Sequence, residues 1–367
     1  MPIYMDRHDL DDSVNAEHVA HIHQEDLKIE HEFGCKGLTY WFDQERKTAF
    51  CLINAPNKEA LQDMHDKAHG AIPNSIIEVD PTVVESFLGR IEDPVNKNST
   101  PLNIINDPAF RVLLVLRINY FILNKDDRAH LSKQIKKFHV DLNEIVQKYE
   151  GRIVRDQLNA ALISFRSVSS AIACAKRLHS NFESFAIPDY NMGLKIGISS
   201  GVPIDQSKGF FEDSIKLAER LCWFVEGEII VSSEVTSLYR KESLQSVDRS
   251  KNIRELRPMD EKFLNLLVEY TESFWNRSNL KVDDYCVCLG LSKSQVYRKI
   301  KYITGKSLNI FIKNYRLERA LQLLNKRERN ISEIAFDTGF NSAAYFSKCF
   351  FKSYGLLPSD YIKKNLS

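Results

Sequence analysis

Residues 281–305 read KVDDYCVCLGLSKSQVYRKIKYITG, and residues 331–355 repeat the same plan as ISEIAFDTGFNSAAYFSKCFFKSYG. In each stretch a small residue lets two helices approach, and a glycine ends the first helix in the left-handed conformation. A serine then caps the second helix, which two apolar residues four positions apart bury. The positions are Cys286, Gly290, Ser292, Val296 and Ile300 in the first copy and Ala335, Gly339, Ser342, Phe346 and Phe350 in the second. Each stretch therefore predicts a helix-turn-helix unit, with a turn one residue longer in the second.

The segment between the two units predicts a connecting helix over 308–324. At 1.5 Å per residue this helix would be roughly 25 Å long. Such a strut could place two recognition helices about 34 Å apart, which is one turn of DNA, on the same face of the duplex. No strand pattern interrupts the chain from about 260 to its last residue, so this region is predicted to be helical throughout.

The outer faces of the two recognition helices carry the side chains that we expect to contact DNA. Arg298 and Tyr297 can reach base edges, whereas lysines suit phosphates. The second helix has fewer base-reading groups, so we expect it to position the protein more than to read sequence, although its alanines could contact thymine methyl groups. The predicted contacts are Lys293, Ser294, Tyr297, Arg298 and Lys301 in the first helix and Ala343, Ala344, Tyr345, Ser347 and Lys348 in the second.

Charge is sorted along the chain, although the net charge is only +1. Residues 1–100 hold 9 basic against 19 acidic side chains, whereas residues 255–367 hold 19 basic against 12 acidic ones. A basic end suits a polyanion, and an acidic end would be repelled by one. The alternative for the basic end is a helical bundle with solvated lysines, but that would leave the duplication and the turn glycines unexplained.

The helical end resembles the AraC/XylS-type DNA-binding domain over about 260–364. The matching residues are Arg316-Leu317, Ala320, Leu323-Leu324, Ile331, Ile334-Ala335, Gly339-Phe340, Tyr345-Phe346, Gly355, Pro358-Ser359 and Tyr361. The resemblance implies a seven-helix fold, a homodimer or tandem occupancy of promoter half-sites, and control by an upstream domain. Family members usually have a second arginine where Lys348 stands here, which would weaken base readout by the second helix.

Two stretches predict linkers, because 92–108 is rich in Pro, Asn and Asp and 241–258 is highly charged. We therefore expect a multidomain protein with domains at 1–91, 109–240 and 259–367. The first is predicted to be an α+β ferredoxin-like domain. The second is predicted to be an α/β domain with a ferredoxin-like core, and the third to be all-α with two helix-turn-helix motifs.

The first domain combines a βαββαβ pattern with clustered histidines, since seven of the ten histidines lie within the first 70 residues. Strands are predicted at 2–6, 37–42, 48–54 and 75–79, with helices at 15–31 and 58–69. His65 and His69 have the four-residue spacing of metal ligands on one helix face. Further nitrogen and sulfur donors that suit Ni, Zn or Cu are Cys51, His21 and His23. Alternatively, these are surface histidines that bind nothing specific.

The stretches MPIYMDRH and AFCLINAPNKEALQDMHDKAHGAIPNSIIEVDP resemble the small ferredoxin-like proteins called DUF4242 or nickel-binding. This resemblance implies a site for nickel or another divalent transition metal. The metal or a small molecule would then be the effector of the protein.

The middle domain carries the stretches GRIVRDQLNAALISF, LKIGISSGV, FEDSIKLAERL and GEIIVSS, which resemble a class III nucleotidyl cyclase domain. Members of that family need two carboxylates to hold the metal ions of phosphoryl transfer. Arg117 and Asn159 stand at those positions, and Lys216 stands where the family has a ribose-contacting asparagine. The family's phosphate-binding arginine is kept as Arg220.

The resemblance therefore implies a non-catalytic cyclase-like domain for dimerisation or sensing. Two readings of its basic residues stay open. Arg155, Lys216 and Arg220, with Arg117, could line a metal-free anion pocket. Otherwise Arg220 would pair with Glu219 or Asp213 at the surface. Strands are predicted at 112–118, 152–156, 160–165, 193–199 and 228–232, and helices at 131–149 and 169–182.

Together these patterns predict a sequence-specific DNA-binding transcription regulator of AraC type, not an enzyme, with no catalytic residues. It would bind double-stranded promoter half-sites as a homodimer. The alternatives are a cyclase-related enzyme, or a nickel-binding protein with an accessory DNA-binding tail. Seven cysteines, no secretory signal and no membrane-spanning apolar run predict a cytoplasmic protein with free thiols.

Overall fold

The computed structural model describes residues 1–95, 102–119, 125–157, 159–185, 192–207, 209–225, 227, 229–243, 252–326 and 329–365. They form two α/β domains followed by a helical domain, so the protein is multidomain as expected. All seven cysteines are free thiols. Within the described residues no helix is long and apolar enough to cross a membrane.

The N-terminal domain is a four-stranded antiparallel sheet with helices on one face. Its elements are β1 (Ile3–Asp9), α1 (Ala16–Ile29), β2 (Lys36–Asp43), β3 (Thr48–Asn54), α2 (Lys58–His69), β4 (Ser75–Val79) and α3 (Pro81–Leu88). The strand order β2-β3-β1-β4 is that of a ferredoxin-like fold. The predicted βαββαβ order is confirmed. Helix α3 was not predicted; it begins at a proline and is capped by Asp80.

The middle domain repeats the same strand order in a larger sheet. Its elements are β5 (Arg111–Asn119), α4 (Lys125–Lys148), β6 (Arg152–Gln157), β7 (Ala160–Phe165), α5 (Val168–Phe185), β8 (Gly193–Gly201), α6 (Glu212–Phe224), β9 (Ile229–Val231), α7 (Ser233–Ser243) and β10 (Ile253–Glu255). The order is β10-β9-β8-β5-β7-β6, so four strands form a ferredoxin-like core and two parallel strands extend it. Helices α6 and α7 and strand β10 were not assigned from the sequence.

The two sheets pack against each other through their inner faces. Met5, Trp41 and Leu52 of the first sheet share one apolar core with Leu113 and Val115 of the second. Helices α1 and α2 cover the outer face of the first sheet, and α4 and α5 cover that of the second. Side chains alternate between the two faces of a strand, so each strand contributes to the inner core on one face and to the helix-covered core on the other. Both faces of each sheet are buried in this way, although no strand of the first domain is fully apolar.

A buried arginine joins the two α/β domains. Arg111 at the start of β5 donates hydrogen bonds to the carbonyls of Phe87 and Leu88 at the end of α3, each at 3.1 Å. A cation is favourable there because the last carbonyls of a helix lack partners within the helix. A second contact runs from Arg7 Nη1 in β1 to the carbonyl of Ile204, at 2.8 Å.

The two predicted linkers are partly wrong, because their described residues pack onto the domains. The Ile105 side chain is buried, and its N–H donates to Tyr40 Oη at 2.9 Å. Residues 252–258 contribute β10 and the start of the next helix. Local polarity predicted a linker in each case, but an edge strand and a single buried side chain need little apolar sequence.

The C-terminal domain has seven helices within 252–326 and 329–365, as expected. They are α8 (Pro258–Phe274), α9 (Val282–Leu289), α10 (Lys293–Thr304), α11 (Leu308–Lys326), α12 (Ile331–Asp337), α13 (Ala343–Tyr354) and α14 (Pro358–Asn365). Helix α8 packs on α6 of the middle domain, and Leu221, Leu264 and Leu267 share one core. The carboxylate of Glu261 in α8 also accepts hydrogen bonds from the N–H and hydroxyl of Ser233, at the start of α7.

The packing of α6 on β8 requires a glycine at position 197. A Cβ there would lie 2.6 Å from the backbone nitrogen of Cys222, closer than real Cβ contacts. We expect Gly197→Ala to destabilise the chain by about 1–3 kcal/mol, because α6 must move off the sheet. The lowered midpoint should appear in thermal or urea unfolding. Gly193→Ala is the matched control, since a Cβ at Gly193 meets nothing within 4 Å; equal effects of the two substitutions would contradict this packing.

Candidate DNA interface and candidate metal centre

The first helix-turn-helix unit, α9 and α10, has the predicted turn chemistry. Gly290 ends α9 with φ of 63°, and the Ser292 side chain accepts a hydrogen bond from the N–H of Gln295. Val296 and Ile300 are fully buried, as predicted. The predicted small residue, Cys286, is half-buried and packs at the edge of the core that holds Val296 and Ile300. Its neighbour Tyr285 is fully buried and joins α9 to α8, since its hydroxyl lies 2.9 Å from Thr271 Oγ1.

The second unit, α12 and α13, follows the same plan with a longer turn. Gly339 has φ of 78° one residue after the helix cap, and the side chain of Ser342 caps α13. Ala335, Phe346 and Phe350 are buried as predicted. Both units therefore present a capped recognition helix held by two apolar residues four positions apart.

Helix α11 ties the two units together. It has 19 residues, two more than predicted, which corresponds to about 28 Å. Arg316 on this helix donates to the carbonyls of Trp275 and Arg277, both at 2.7 Å. Further along, Tyr354 of α13 hydrogen-bonds Glu318 at 3.2 Å. These contacts connect α11 to the end of α8 on one side and to the second recognition helix on the other.

The residues predicted to contact DNA differ in their exposure and in whether another group of the protein already binds their side chains. Tyr297 is 41 % exposed, and Arg298 is exposed without any ion pair or hydrogen bond to a described residue. Lys293 pairs with Asp283 at 2.7 Å, and Lys301 donates to the carbonyl of Gly305 at 2.6 Å. The remaining predicted residues lie as follows: Ser294, Ala344, Tyr345 and Lys348 are exposed, whereas Ala343 and Ser347 are half-buried.

Three of the cations predicted to line an anion pocket in the middle domain, Arg155, Lys216 and Arg220, each face a carboxylate. Arg155 pairs with Glu219 at 2.9 Å, and Lys216 pairs with Glu212 at 2.5 Å. Arg220 is buried against α8, where it hydrogen-bonds Asn265 and Glu269. Glu219 and Asp213, the alternative partners predicted for Arg220, are not its ion-pair partners. The contacts of Arg220 cross a domain boundary, to Asn265 at 2.8 Å, Glu269 at 3.1 Å and Glu272 at 3.6 Å.

The two positions that lack carboxylates have other contacts. The Arg117 guanidinium lies 4.3 Å from the ring centroid of Trp223. Asn159 is exposed, and its carbonyl accepts a hydrogen bond from the N–H of Ile118 at 2.9 Å. Neither position offers an acidic ligand for a metal ion.

In the N-terminal domain, His65 lies between two buried carboxylates. Its Nε2 is 2.9 Å from Asp6 Oδ2, and its Nδ1 is 3.0 Å from Asp26 Oδ1. His69 Nε2 is 3.1 Å from the same Asp26 oxygen and 3.1 Å from His65 Nδ1. His69 Nδ1 accepts from the N–H of Ala71, so a neutral His69 ring carries its proton on Nε2. The other oxygen, Asp26 Oδ2, is buried and has no hydrogen-bond partner.

The electrostatics of this cluster favour a protonated His65. Burial opposes its charge, but the hydrogen bonds to Asp26 and Asp6 raise the pKa of His65 to about 10. Burial likewise opposes the charge of Asp26, and hydrogen bonds from His65 and His69 hold its pKa below the usual value. The pKa of Asp6 is also held well below its usual range, against burial, by the charges and hydrogen bonds of His8 and His65.

Cys51 lies in a neighbouring cluster with Asp6 and His8. In the β1–β3 ladder Asp6 stands opposite Cys51, whose N–H donates to Asp6 Oδ1 at 3.0 Å. His8 Nε2 is 3.3 Å from the same oxygen. Burial raises the pKa of the Cys51 thiol well above its usual value. Two groups of ligand atoms are thus close enough to hold an ion: Asp26, His65, His69, and Asp6, His8, Cys51.

The structure brings together only part of the predicted ligand set. His65, His69 and Cys51 lie in these two clusters, but His21 is exposed beside Glu25 and His23 pairs with Asp93 at 3.1 Å. The two carboxylates at the centre were missed. The burial of Asp6 could have been predicted, since it lies two positions from both Tyr4 and His8 and therefore on the same face of β1. Asp26 had none beyond its place on a helix.

Comparisons with known proteins assign the two ends of the chain. Residues 4–79 match the family model described as nickel responsive protein SCO4226-like, and residues 285–364 match the model described as helix-turn-helix domain. The crystal structure of SCO4226 from Streptomyces coelicolor A3(2) has 30 % identity and a TM-score of 0.20, covering 21 % of this chain and 94 % of that one.

The curated relatives include a histidine kinase and a transcriptional regulator. Histidine kinase P4 of Formosa agariphila is 38 % identical over 103 residues, which is 28 % of this chain and 8 % of the kinase. The HTH-type transcriptional regulator MtrA of Neisseria gonorrhoeae is 29 % identical over 98 residues, 27 % of this chain and 31 % of MtrA. The chain thus spans less than a third of either relative. It has a mixed α/β N-terminal region and a helical DNA-binding domain at its C-terminal end. That DNA-binding domain is of the AraC type, and the N-terminal domain is SCO4226-like.

The Asp6–His65–Asp26 cluster predicts a pH dependence of stability. The pKa of His65 rises from 6.5 to about 10 on folding, so its contribution is complete below pH 6.5 and is lost as the pH rises towards 10. The lowered pKa values of Asp6 and Asp26 act in the opposite sense. Their contribution is present above their ordinary value of 3.8 and is lost on acidification.

We therefore expect the free energy of unfolding to be greatest between about pH 4 and 6.5. Towards pH 10 it should fall by on the order of 1 kcal/mol per pH unit. Urea unfolding in the presence of a chelator measures this profile. His65→Gln should flatten the alkaline limb, whereas the exposed control His21→Gln should keep it. An unchanged alkaline slope in His65→Gln would contradict a protonated His65.

Proposed function

We propose that the protein is a sequence-specific, non-enzymatic transcription regulator of AraC type that reads DNA with α10 and α13 and is controlled by a metal-sensing N-terminal domain. The observation that supports DNA reading most directly is the pair of capped recognition helices on the α11 strut. The outer faces of both remain exposed although α8 and α11 pack against the middle domain. The DNA surface is thus accessible in this arrangement of domains.

Base readout is proposed to rest mainly on α10. Arg298 is exposed and unpaired among the described residues, so its guanidinium is free for a bidentate contact with a guanine. Tyr297 lies beside it. Lys293 and Lys301 are held by neighbours on the protein, which suits phosphate contacts that position the helix. Among the predicted contact residues of α13, Lys348 is the one cation, and it is exposed.

The donor set around Asp26 fits the divalent metal that the SCO4226-like domain implies. Its oxygen Oδ1, His65 Nδ1 and His69 Nε2 lie 3.0 to 3.1 Å from one another. Adjacent ligands at about 2.1 Å from one octahedral ion are separated by about 3.0 Å, so the three atoms match one face of such a site. The unpartnered Asp26 Oδ2 also lacks a cation. A divalent ion such as nickel would supply positive charge there in place of the His65 proton. His69 would bind it through Nε2 only after the proton on that nitrogen moves to Nδ1, which would end the hydrogen bond from the Ala71 N–H.

Signal transfer to the DNA-binding domain is proposed to run through the middle domain. The inner core connects the first sheet with α6, and the opposite side of α6 holds the DNA-binding domain. Arg220 reaches Glu269 of α8, and the ring of Phe224 lies 5.1 Å from that of Phe311 in α11. This continuous packing supports a coupling between metal binding and the orientation of α8.

We further propose that the middle domain is a non-catalytic relative of nucleotidyl cyclases. Arg117, stacked on Trp223, and Asn159 replace the two carboxylates that such an enzyme needs. Binding of promoter half-sites favours a homodimer. Because the face that carries Arg220 is packed against α8 of the same chain, the dimer would use another surface.

Arg298→Ala should weaken binding to the preferred DNA sequence by about 1–3 kcal/mol and relax selectivity at one base pair. The preferred sequence is obtained by selecting bound duplexes from a random pool with the full chain. Affinities for that duplex and a scrambled one are then measured over a series of salt concentrations. Lys301→Ala is the comparison: it should weaken both duplexes alike and reduce the salt dependence. Equal loss on both duplexes for Arg298→Ala would contradict its role in base readout.

Calorimetric titration of the full chain with nickel should reveal binding tighter than roughly millimolar. His69→Ala, which leaves His65 between Asp6 and Asp26, should weaken it at least tenfold, about 1.4 kcal/mol. The exposed pair His21→Ala with His31→Ala is the control and should bind normally. Affinity for the selected DNA should change with nickel in the parent and not in His69→Ala. Nickel binding with unchanged DNA affinity would favour the alternative, a metal-binding protein with an accessory DNA-binding tail.

A further inference from the structure

We propose that the cleft between α3 and the edge of the middle sheet is a binding site for a small polyanion, of the phosphate or multiple-carboxylate type. The cleft lies where the N-terminal and middle domains meet, far in sequence from the recognition helices. It uses none of the residues assigned to the DNA interface or to the metal centre. The proposal therefore stands independently of both roles.

The cleft is large enough for a small metabolite. Its volume is about 690 Å³, within the range of ligand sites. The walls come from the end of α4, strands β6 and β7, and the last turn of α3. Its charged lining consists of three arginines, Arg111, Arg152 and Arg166, and one carboxylate, Glu150. The side chains of Gln147 and Asn143 add exposed amide groups at its rim.

Positive charge exceeds negative charge behind this lining as well. Arg90 and Arg166 both reach Asp107 Oδ2, at 3.4 Å and 3.1 Å, and Arg111 lies 3.9 Å from Asp107 Oδ1. One carboxylate is thus shared by three guanidinium groups. Arg152 has no ion pair or hydrogen bond to any described residue. Four arginines meet Asp107 and Glu150 here, and Asp93 also acts on Arg90.

The neighbouring arginines add to the effect of burial on the pKa of Arg111. Burial, and then the charges of Arg166, Arg152 and Arg90, lower the pKa of Arg111 to about 10 although Asp107 opposes the shift. The four donors of Arg111 that form hydrogen bonds are all directed at carbonyls, which are neutral. A cluster of like charges is unfavourable until an anion joins it.

Arg152 is exposed, and its guanidinium lies against the backbone at the end of α3. Its guanidinium carbon lies 2.7 Å from the position that a Cβ would take on Gly89, the residue that ends α3 with φ of 87°. A glycine there leaves room for the flat guanidinium against the backbone. A guanidinium presents two parallel N–H donors, the geometry that binds phosphate and carboxylate oxygens in pairs. Arg152 would therefore be the principal anion ligand, with Arg166 beside it.

Calorimetric titration of the full chain with inorganic pyrophosphate, at constant ionic strength, tests the site. We expect one saturable site per chain, and Arg152→Gln should weaken it about tenfold or more, because hydrogen bonds to charged groups are lost. Arg177→Gln, an exposed arginine on α5 outside the cleft, is the matched control and should leave the affinity unchanged. Thermal unfolding of both variants without ligand checks that each is folded.

Three results would overturn the proposal. The first is no saturable binding up to about 10 mM pyrophosphate, an affinity too weak for a built site. The second is an equal loss in Arg152→Gln and Arg177→Gln, which would indicate general charge attraction. The third is displacement of pyrophosphate from the parent chain by a random-sequence DNA duplex. That outcome would assign the cleft to the phosphates of nucleic acid instead of a small anion.

Discussion

The two β-sheets bury their inner faces against each other, and this shared core determines where the other parts of the chain lie. A ferredoxin-like sheet with helices on one side leaves its second face open, and an apolar face of that size is rarely exposed. Here Trp41 and Leu52 from one sheet meet Leu113 and Val115 from the other. The arrangement sends the helices outward, places the His65 cluster on the outer side of the first sheet, and leaves α6 as the platform for α8.

Two clusters of buried charge in this framework, around His65 and around Arg111, are stabilised in different ways. His65 is matched by two carboxylates, so its proton is held by hydrogen bonds on both ring nitrogens. Arg111 is surrounded by carbonyls, and it shares the carboxylate of Asp107 with Arg90 and Arg166. Removing one partner of a buried charge is far more costly than forming the pair was favourable. These two clusters therefore mark the positions where a ligand of the right charge would have the largest effect on the domains that meet there.

Sequence reasoning was most successful where the chemistry is local. The turn glycine, the serine cap and the apolar pair four positions apart predicted both helix-turn-helix units, because each feature involves residues within a few positions. His65 and His69 were found for the same reason, since four residues bring them to one helix face. Asp26 lies 39 positions before His65 and could not be linked to it by spacing. Arg220 was expected to stay within its own domain, but its partner Glu269 is on the helical domain.

The sequence by itself determined the βαββαβ order of the first domain, the two recognition helices and the separation of acidic and basic ends. These properties follow from periodicity, capping and composition, which act over a few residues. The tertiary structure alone decided which polar side chains meet, because burying a charge requires a partner and the fold selects that partner from any part of the chain. It joined His65 to Asp6 and Asp26, turned Arg220 towards α8, and gathered the arginines of the cleft between the two α/β domains.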